Sequence, residues 1–313
     1  MTARIVMKLD VVERTELGDD VARLVFRHPR RPTLAAWTPG AHVDLRLPDG
    51  KVRQYSLIGD PDDLATYTIA VKREASGRGG SRLVHEALCV GAVAHVSAPR
   101  NNFPLAPGRA VLIAGGVGAT PLISMARELV RRGEDFAFHL CVRTADSPFA
   151  IMAEAVAGER LSVHASSGEG ARRLDVAALV AGLAPDVHLY CCGPDRLTAA
   201  VAEAAEGRDE DTVHFEVFAA TADENYKPEP FDLTIASTGR TYRVPAERSA
   251  LDVLREEGFA LPSSCELGVC GSCECGYTQG TVIHRDVVLE PSARQHRMMP
   301  CVSRARVAVT LDL

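Results

Sequence analysis

The chain has 313 residues, 46% apolar and 24% charged, which suits two or three soluble globular domains and excludes disorder as its main character. A formal charge of −6 and only 5% aromatic residues argue against a phosphate-backbone binder or a base-stacking platform. There is no run of apolar residues long enough to span a membrane, and Met1 to Asp10 carries no apolar signal core. The expectation is a mature cytoplasmic protein with neither a membrane nor a nucleic-acid partner.

Residues 1–105 read as all-β. Short runs at 21–26, 41–47, 53–59, 67–73 and 92–98 are separated by Pro39-Gly40, Pro48-Asp49-Gly50 and Asp60-Pro61. Several short strands at this spacing predict a small barrel, with one short helix over 81–88 behind Gly79-Gly80. Residues 106–220 change character. Ala110 to Ala114 is continuously apolar, as in a strand buried on both faces. Strands at 136–142, 161–165, 187–191 and 212–217 alternate with helices at 121–132, 175–181 and 195–206, which predicts a parallel α/β sheet. A polar, Pro-bearing stretch follows, with a linker at 221–230. Residues 231–313 form a third unit with strands at 231–236, 241–244 and 306–311, a helix at 250–257 and a Cys-rich loop.

Nine cysteines are the unusual number. Cys89, Cys141, Cys191 and Cys192 are scattered, whereas Cys265, Cys270, Cys273, Cys275 and Cys301 fall late. An odd count without an export signal points to a metal or cluster site in a reducing compartment instead of a disulfide scaffold. The spacing Cys265-x4-Cys270-x2-Cys273, with a distant Cys301, is that of plant-type 2Fe-2S ferredoxins. Gly268 and Gly271 let the loop wrap closely, so that backbone N–H groups approach the sulfurs. Structural zinc usually wants two Cys-x2-Cys-like halves, and only one is present. Cys275 reads as a small buried hydrophobe beside the ligands.

Two further turns carry chemistry. Gly115-Gly116-Val117-Gly118-Ala119-Thr120-Pro121 leaves the apolar strand and opens a helix, as a pyrophosphate-binding turn does. Thr120 suits the N-cap and Pro121 the first helical position. Cys192-Gly193-Pro194 ends another strand in the same way, so both turns would line one crevice. Upstream, Arg53-x-Tyr55-Ser56 places Arg53 and Tyr55 on one strand face and Ser56 on the other. Arg can hold a phosphate, Tyr can stack, and Ser can reach a ring nitrogen. Gly79-Gly80-Ser81-Arg82 adds a second anion nest.

In this order, these motifs resemble the phthalate dioxygenase reductase-type family, and are similar to vanillate demethylase reductase components. The resemblance covers the whole chain. It implies a multidomain protein: a β-barrel flavin domain, an α/β parallel-sheet nucleotide domain, and a C-terminal α+β ferredoxin-like 2Fe-2S domain of the β-grasp type. It implies FMN held by Arg53, Tyr55, Ser56, Ala70, Val71, Lys72, Gly79, Gly80, Ser81, Arg82, Thr120 and Phe218. It implies a nicotinamide nucleotide at Gly115, Gly116, Gly118, Arg143, Cys192, Gly193 and Pro194, with Ser56, Thr120 and Cys192 closest to the chemistry. The cluster would rest on Cys265, Cys270, Cys273 and Cys301. Arg143 stands where an acidic residue would favour an unmodified ribose, which leaves NADPH open, whereas the family points to NADH.

A flavin can take a hydride and release electrons singly, whereas a 2Fe-2S cluster carries one electron at a time. The resemblance implies a terminal oxygenase as acceptor, of Rieske type, with a haem monooxygenase as the alternative. A gap of about 250 mV between a plant-type cluster and a Rieske centre favours transfer by roughly four orders of magnitude. Acids and bases nearly balance from residue 225 onward. Docking should therefore depend on a local patch rather than on net charge. A monomer suits a mobile donor. The rival readings are a diaphorase without a dedicated partner and a redox-sensing module. Intact glycine turns argue against the second, and the cluster spacing argues against the first.

Overall fold

The computed structural model describes residues 6–75, 79–218 and 226–313. It divides into two compact units, residues 1–216 and 217–313, each with its own buried apolar core. The expected linker at 221–230 lies partly outside the described residues.

The first unit holds two sheets. The first is built from β1 (Val6–Leu17), β2 (Val21–Arg27), β3 (His42–Arg46), β4 (Val52–Ser56), β5 (Thr66–Lys72) and β6 (Val93–Ser97), with α1 (Gly80–Ala87) packed on β5. All pairings are antiparallel, in the order β4-β3-β6-β1-β2-β5. The two edge strands approach each other beyond the end of β4. There Leu57 bridges Ile69, and the Ile58 N–H donates to Thr68 O at 2.9 Å. Leu9, Leu24, Phe26, Leu45, Leu57, Tyr67 and Ile69 fill the interior.

β1 goes beyond the expected strands. Only Leu9 and Val11 of its twelve residues are buried, and a bulge between Val11 and Glu13 breaks its alternation. Its charged residues hide a strand that lies between two others.

The second sheet is parallel. Its elements are β7 (Ala110–Gly115), a 3₁₀ turn (Gly116–Gly118), α2 (Ala119–Arg132), β8 (Phe136–Val142), α3 (Pro148–Ala157), β9 (Leu161–Ala165), α4 (Val176–Ala181), β10 (His188–Cys192), α5 (Asp195–Ala204) and β11 (Val213–Glu216). The strand order is β11-β10-β7-β8-β9. β7 is buried along its whole length, as its unbroken apolar sequence requires. α3 was not expected. It opens with Ser147 before Pro148, a normal helix start, but its apolar residues surround the axis and give no amphipathic stripe.

α2 joins the two sheets. Its buried side chains share one core with Val21, Ile58, Ala70 and Phe103 from the first sheet and its following loop. Gly40, at φ 90°, makes this contact possible. A Cβ there would meet Phe103 O at 1.9 Å, and its N–H donates to the buried Ser124 Oγ at 3.1 Å. The start of α2 is thereby held against the first sheet.

The second unit contains β12 (Phe231–Ile235), β13 (Thr241–Val244), α6 (Ala250–Glu256), β14 (Cys275–Ile283), β15 (Arg297–Met298) and β16 (Arg304–Leu311). The sheet is mixed, in the order β13-β12-β16-β14-β15, with β12 and β16 parallel. β14 escaped the sequence reading because Gly276 and Gly280 interrupt it. Gly280, at φ 109°, lets β16 approach, since a Cβ would lie 2.3 Å from Ala308 O. No helix among the described residues is long and apolar enough to cross a membrane.

Candidate redox sites

The proposed flavin-binding residues lie on two neighbouring edges and two helix starts. β4 carries Arg53, Tyr55 and Ser56, and β5 carries Ala70, Val71 and Lys72. Ser56 is buried. Tyr55 faces the other way, and burial pushes its phenol up to about 12, so it is neutral at all working pH values. Lys72 pairs with Glu74 at 3.0 Å.

α1 begins behind Gly79, whose φ of 79° turns the chain sharply. Arg53 lies across Gly80 so closely that a Cβ there would sit 2.6 Å from Nε. The Arg53 side chain therefore lies against the first residue of a helix, and a guanidinium beside a helix start is a donor set that suits a phosphate. Ser81 Oγ accepts from the Glu74 N–H at 3.0 Å, and His85 Nε2 meets Val71 O at 2.9 Å, so α1 is fixed on β5. Arg82 is exposed and faces Glu86 at 3.7 Å.

This cradle predicts that Gly80→Ala spares the fold but displaces Arg53. Losing a charge-assisted hydrogen bond, worth about 1.5–3 kcal/mol, should weaken flavin binding about ten- to hundredfold. Fluorescence quenching during reconstitution reads this directly.

The nucleotide turn corrects one expectation. Thr120 is not the N-cap, and Pro121 is not the first helical residue. A left-handed Gly116 (φ 53°) starts a 3₁₀ turn, so α2 begins at Ala119 with Gly118 as its cap. Thr120 is then inside the first turn, where its Oγ1 donates to Val117 O at 2.9 Å.

The two glycine turns pack against each other. A Cβ on Gly115 would lie 2.4 Å from Pro194 Cδ, and one on Gly118 would lie 2.2 Å from Cys192 O. A Cβ on Gly193 would lie 3.0 Å from Gly115 N. Gly115, Gly116, Gly118, Cys192, Gly193 and Pro194 are therefore brought together at the carboxyl ends of β7 and β10, where open parallel sheets bind ligands. Arg143 lies just past β8 with an exposed side chain, and its carbonyl accepts from Ser167 N and Oγ, both at 2.9 Å.

Cys192 is 1% exposed. Burial first, and then the neighbouring Glu216, push its thiol far up, so it is a neutral thiol and not a nucleophile. Glu216 was overlooked as a site residue. It ends β11 directly opposite Cys192, and its shielded Oε2 has no partner among the described residues. Burial pushes its carboxyl up to about 8. Its signal in the sequence is its place in a His-x-Glu-x-Phe run, His214 to Phe218, and the structure adds its register beside Cys192.

A buried carboxyl with a raised pKa binds its proton more tightly when folded than when unfolded. Folding stability should therefore fall as pH rises from about 4.5 to about 8, then level off. Glu216→Gln removes this dependence. Its gain in stability should be near zero below pH 4.5, grow through pH 5–8 and reach on the order of a few kcal/mol. Melting curves at pH 5, 7 and 9 test the sign.

Phe218 follows β11 at the start of the second unit, where it is exposed.

In the second unit the loop between α6 and β14 supplies three cysteines, and the turn before β16 supplies the fourth. Cys265, Cys273 and Cys301 are buried and Cys270 is partly so. The thiols fall into two pairs. The neighbouring Cys265 thiol draws Cys270 down, and Cys301 likewise lowers Cys273. The Leu267 N–H points at Cys265 Sγ (3.3 Å) and the Cys265 N–H at Cys270 Sγ (3.5 Å). Among the described residues no three His, Cys, Asp or Glu side chains converge on a single ion. Two pairs of thiols with amide donors suit a two-iron cluster, which takes two ligands per iron. Cys275 packs in the core with Phe231 and Met298, and burial raises its thiol to about 12.

Comparison with known proteins agrees with this geometry. Residues 8–104 match the oxidoreductase FAD-binding domain family, and residues 233–306 match the 2Fe-2S iron-sulfur cluster binding domain family. The chain is 35% identical to phthalate dioxygenase reductase of Burkholderia cepacia, over 98% of this chain and 97% of that one. The chain belongs to the phthalate dioxygenase reductase family. It is also 43% identical to the phenoxybenzoate dioxygenase subunit beta of Ectopseudomonas oleovorans, covering 95% and 94% of the two chains. The solved structure of a phthalate dioxygenase reductase, described as modular for electron transfer from pyridine nucleotides to [2Fe-2S], superposes with a TM-score of 0.84 at 34% identity, covering 98% of both chains. As a member of this family the chain is a flavin and 2Fe-2S oxidoreductase.

Proposed function

We propose that this protein is the reductase component of an oxygenase system, taking electrons from NADH and delivering them singly to a Rieske-type terminal oxygenase in the cytoplasm. The observation that carries the reading is the joint presence, in one chain, of a glycine-turn crevice, a phosphate cradle beside Ser56 and two pairs of cysteine thiols. When bound, the flavin supplies hydride acceptance and single-electron release, and the cluster supplies one-electron carriage.

The chain's own residues hold and orient. Arg53 and the Gly79–Arg82 turn would hold the FMN phosphate, with Ala70, Val71 and Lys72 along the β5 edge. Ser56 would offer its hydroxyl toward the ring, and Thr120 would fix the helix start that faces it. Phe218 would cover the flavin. The turns at Gly115–Gly118 and Cys192–Pro194 would hold the nucleotide, with Arg143 toward its ribose and Cys192 packing against the nicotinamide. Glu216 keeps its proton near neutral pH, so it meets the nucleotide as an uncharged hydrogen-bonding group. No side chain would be required as a general base, because the flavin, when bound, would itself supply hydride acceptance.

On this reading residues 1–105 are a flavin barrel, 106–220 the nucleotide domain, 221–230 a linker and 231–313 a β-grasp ferredoxin domain, all acting as a monomer. The test is acceptor specificity. With NADH in excess, a purified Rieske oxygenase component should be reduced, and heat-released flavin should be FMN by mass. Preferential reduction of a haem monooxygenase would overturn the Rieske assignment.

A further inference from the structure

We infer that Arg255 and Glu266 form a charge lock that sets the reduction potential of the cluster on Cys265, Cys270, Cys273 and Cys301. The inference rests on the cluster reading above. Glu266 directly follows Cys265 in the chain, is buried, and at φ 55° is the one non-glycine residue with positive φ among those described. A charged side chain in this conformation, between two residues that shape the ligand loop, is an unfavourable choice unless something holds it.

Arg255 does so. From the last turn of α6, its Nη2 donates to Glu266 Oε1 at 2.9 Å and to Ser263 Oγ at 2.9 Å. The helix is itself anchored. The Ser249 side chain caps it by accepting from the Asp252 N–H, and Asp252 Oδ1 stands 3.6 Å from Arg255 Nη1. The same helix braces the other ligand segment. The Leu251 N–H donates to Pro300 O at 3.0 Å, and the Leu251 side chain packs with Cys273, Met299 and Cys301. One helix thus touches both stretches that carry the thiols, and its only ion pair to the cysteine loop, among the described residues, is Arg255–Glu266.

The sign follows from electrostatics. Reduction adds one negative charge to the cluster. A buried carboxylate beside Cys265 opposes that charge, and the Arg255 guanidinium offsets it. Removing the guanidinium alone should make the cluster harder to reduce. Removing the carboxylate charge alone should make it easier. Arg255 is a positioning residue here: it touches Glu266 and Ser263, not a thiol, and it adds its own charge to the field at the cluster.

The test is anaerobic redox titration of the full-length holoprotein, followed by low-temperature EPR. Arg255→Met should lower the cluster midpoint and Glu266→Gln should raise it. Each shift should be at least about threefold in the one-electron equilibrium constant, which is about 28 mV at about 59 mV per decade. Arg255→Met/Glu266→Gln together should return toward the wild-type value, and Arg255→Lys should stay near it. A purely structural lock would change cluster content without opposite midpoint shifts. Unchanged midpoints in Glu266→Gln with full cluster content overturn the inference, even if Arg255→Met loses its cluster. Absence of any 2Fe-2S signal in the wild-type protein would instead overturn the cluster reading.

Discussion

Replacing Gly118 with alanine should abolish productive use of NAD(P)H while leaving the second unit intact. The added Cβ would lie 2.2 Å from Cys192 O, 2.5 Å from Cys192 C and 2.9 Å from Gly193 N. All three are backbone atoms at or just past the end of β10, so no side chain can rotate away. The turn must move instead, and it carries both the start of α2 and the crevice floor. Overpacking of this kind costs about 1–3 kcal/mol. A displacement of about 1 Å at a site that works by positioning costs about 100-fold in rate. The expected result is NADH oxidation reduced at least about 100-fold with most flavin still bound, because its phosphate cradle at Arg53 and Gly80 is on another turn, although Thr120 moves with α2. Stopped-flow flavin reduction measures it. A rate within threefold of wild type would show that the two glycine turns do not form the nucleotide crevice.

Cys301→Ser should separate the two halves of the reaction. Cys301 is paired with Cys273 and reaches the other thiols from a segment more than twenty residues away, so no neighbouring cysteine can replace it. Cys275 cannot step in, since it points into the apolar core beside Met298. A weaker oxygen ligand on one iron should deplete the cluster, and delivery of single electrons to an oxygenase should fall by at least about 100-fold, the upper range seen when even a supporting metal partner is lost. Flavin reduction by NADH should be unchanged, because the phosphate cradle of Arg53 and Gly80 and both glycine turns lie in the first unit. Iron content, EPR and stopped-flow absorbance on one preparation distinguish the effects. Retention of both cluster and electron delivery would remove Cys301 from the ligand set.

What could be read in the sequence follows from how local each feature is. The Cys265–Cys273 spacing and the two glycine turns are short-range constraints, written close together in the chain, and the two glycine turns pack against each other. The parallel strands were legible because burial on both faces demands unbroken apolar runs such as Ala110 to Ala114. β1 was not, since its neighbours on both sides satisfy its backbone while its side chains are mostly charged or half-exposed. α3 lacked an amphipathic stripe, although Ser147-Pro148 marked its start. The Thr120 cap was misjudged because Gly116 begins the helical path several residues early. The roles of Glu216 and Arg255 were not legible for a common reason. Each matters through a partner distant in sequence, Cys192 for the first and Glu266 for the second, so only strand register and loop packing reveal them.

The central claim is that one chain passes electrons from a nicotinamide nucleotide through a flavin to a four-cysteine cluster. Anaerobic titration of the purified protein with NADH, followed by visible absorbance and low-temperature EPR, tests it most directly. The account predicts flavin bleaching together with a rhombic 2Fe-2S signal, at about three electrons taken up per chain. Complete flavin bleaching with no cluster signal, in protein containing its full complement of iron, would contradict it.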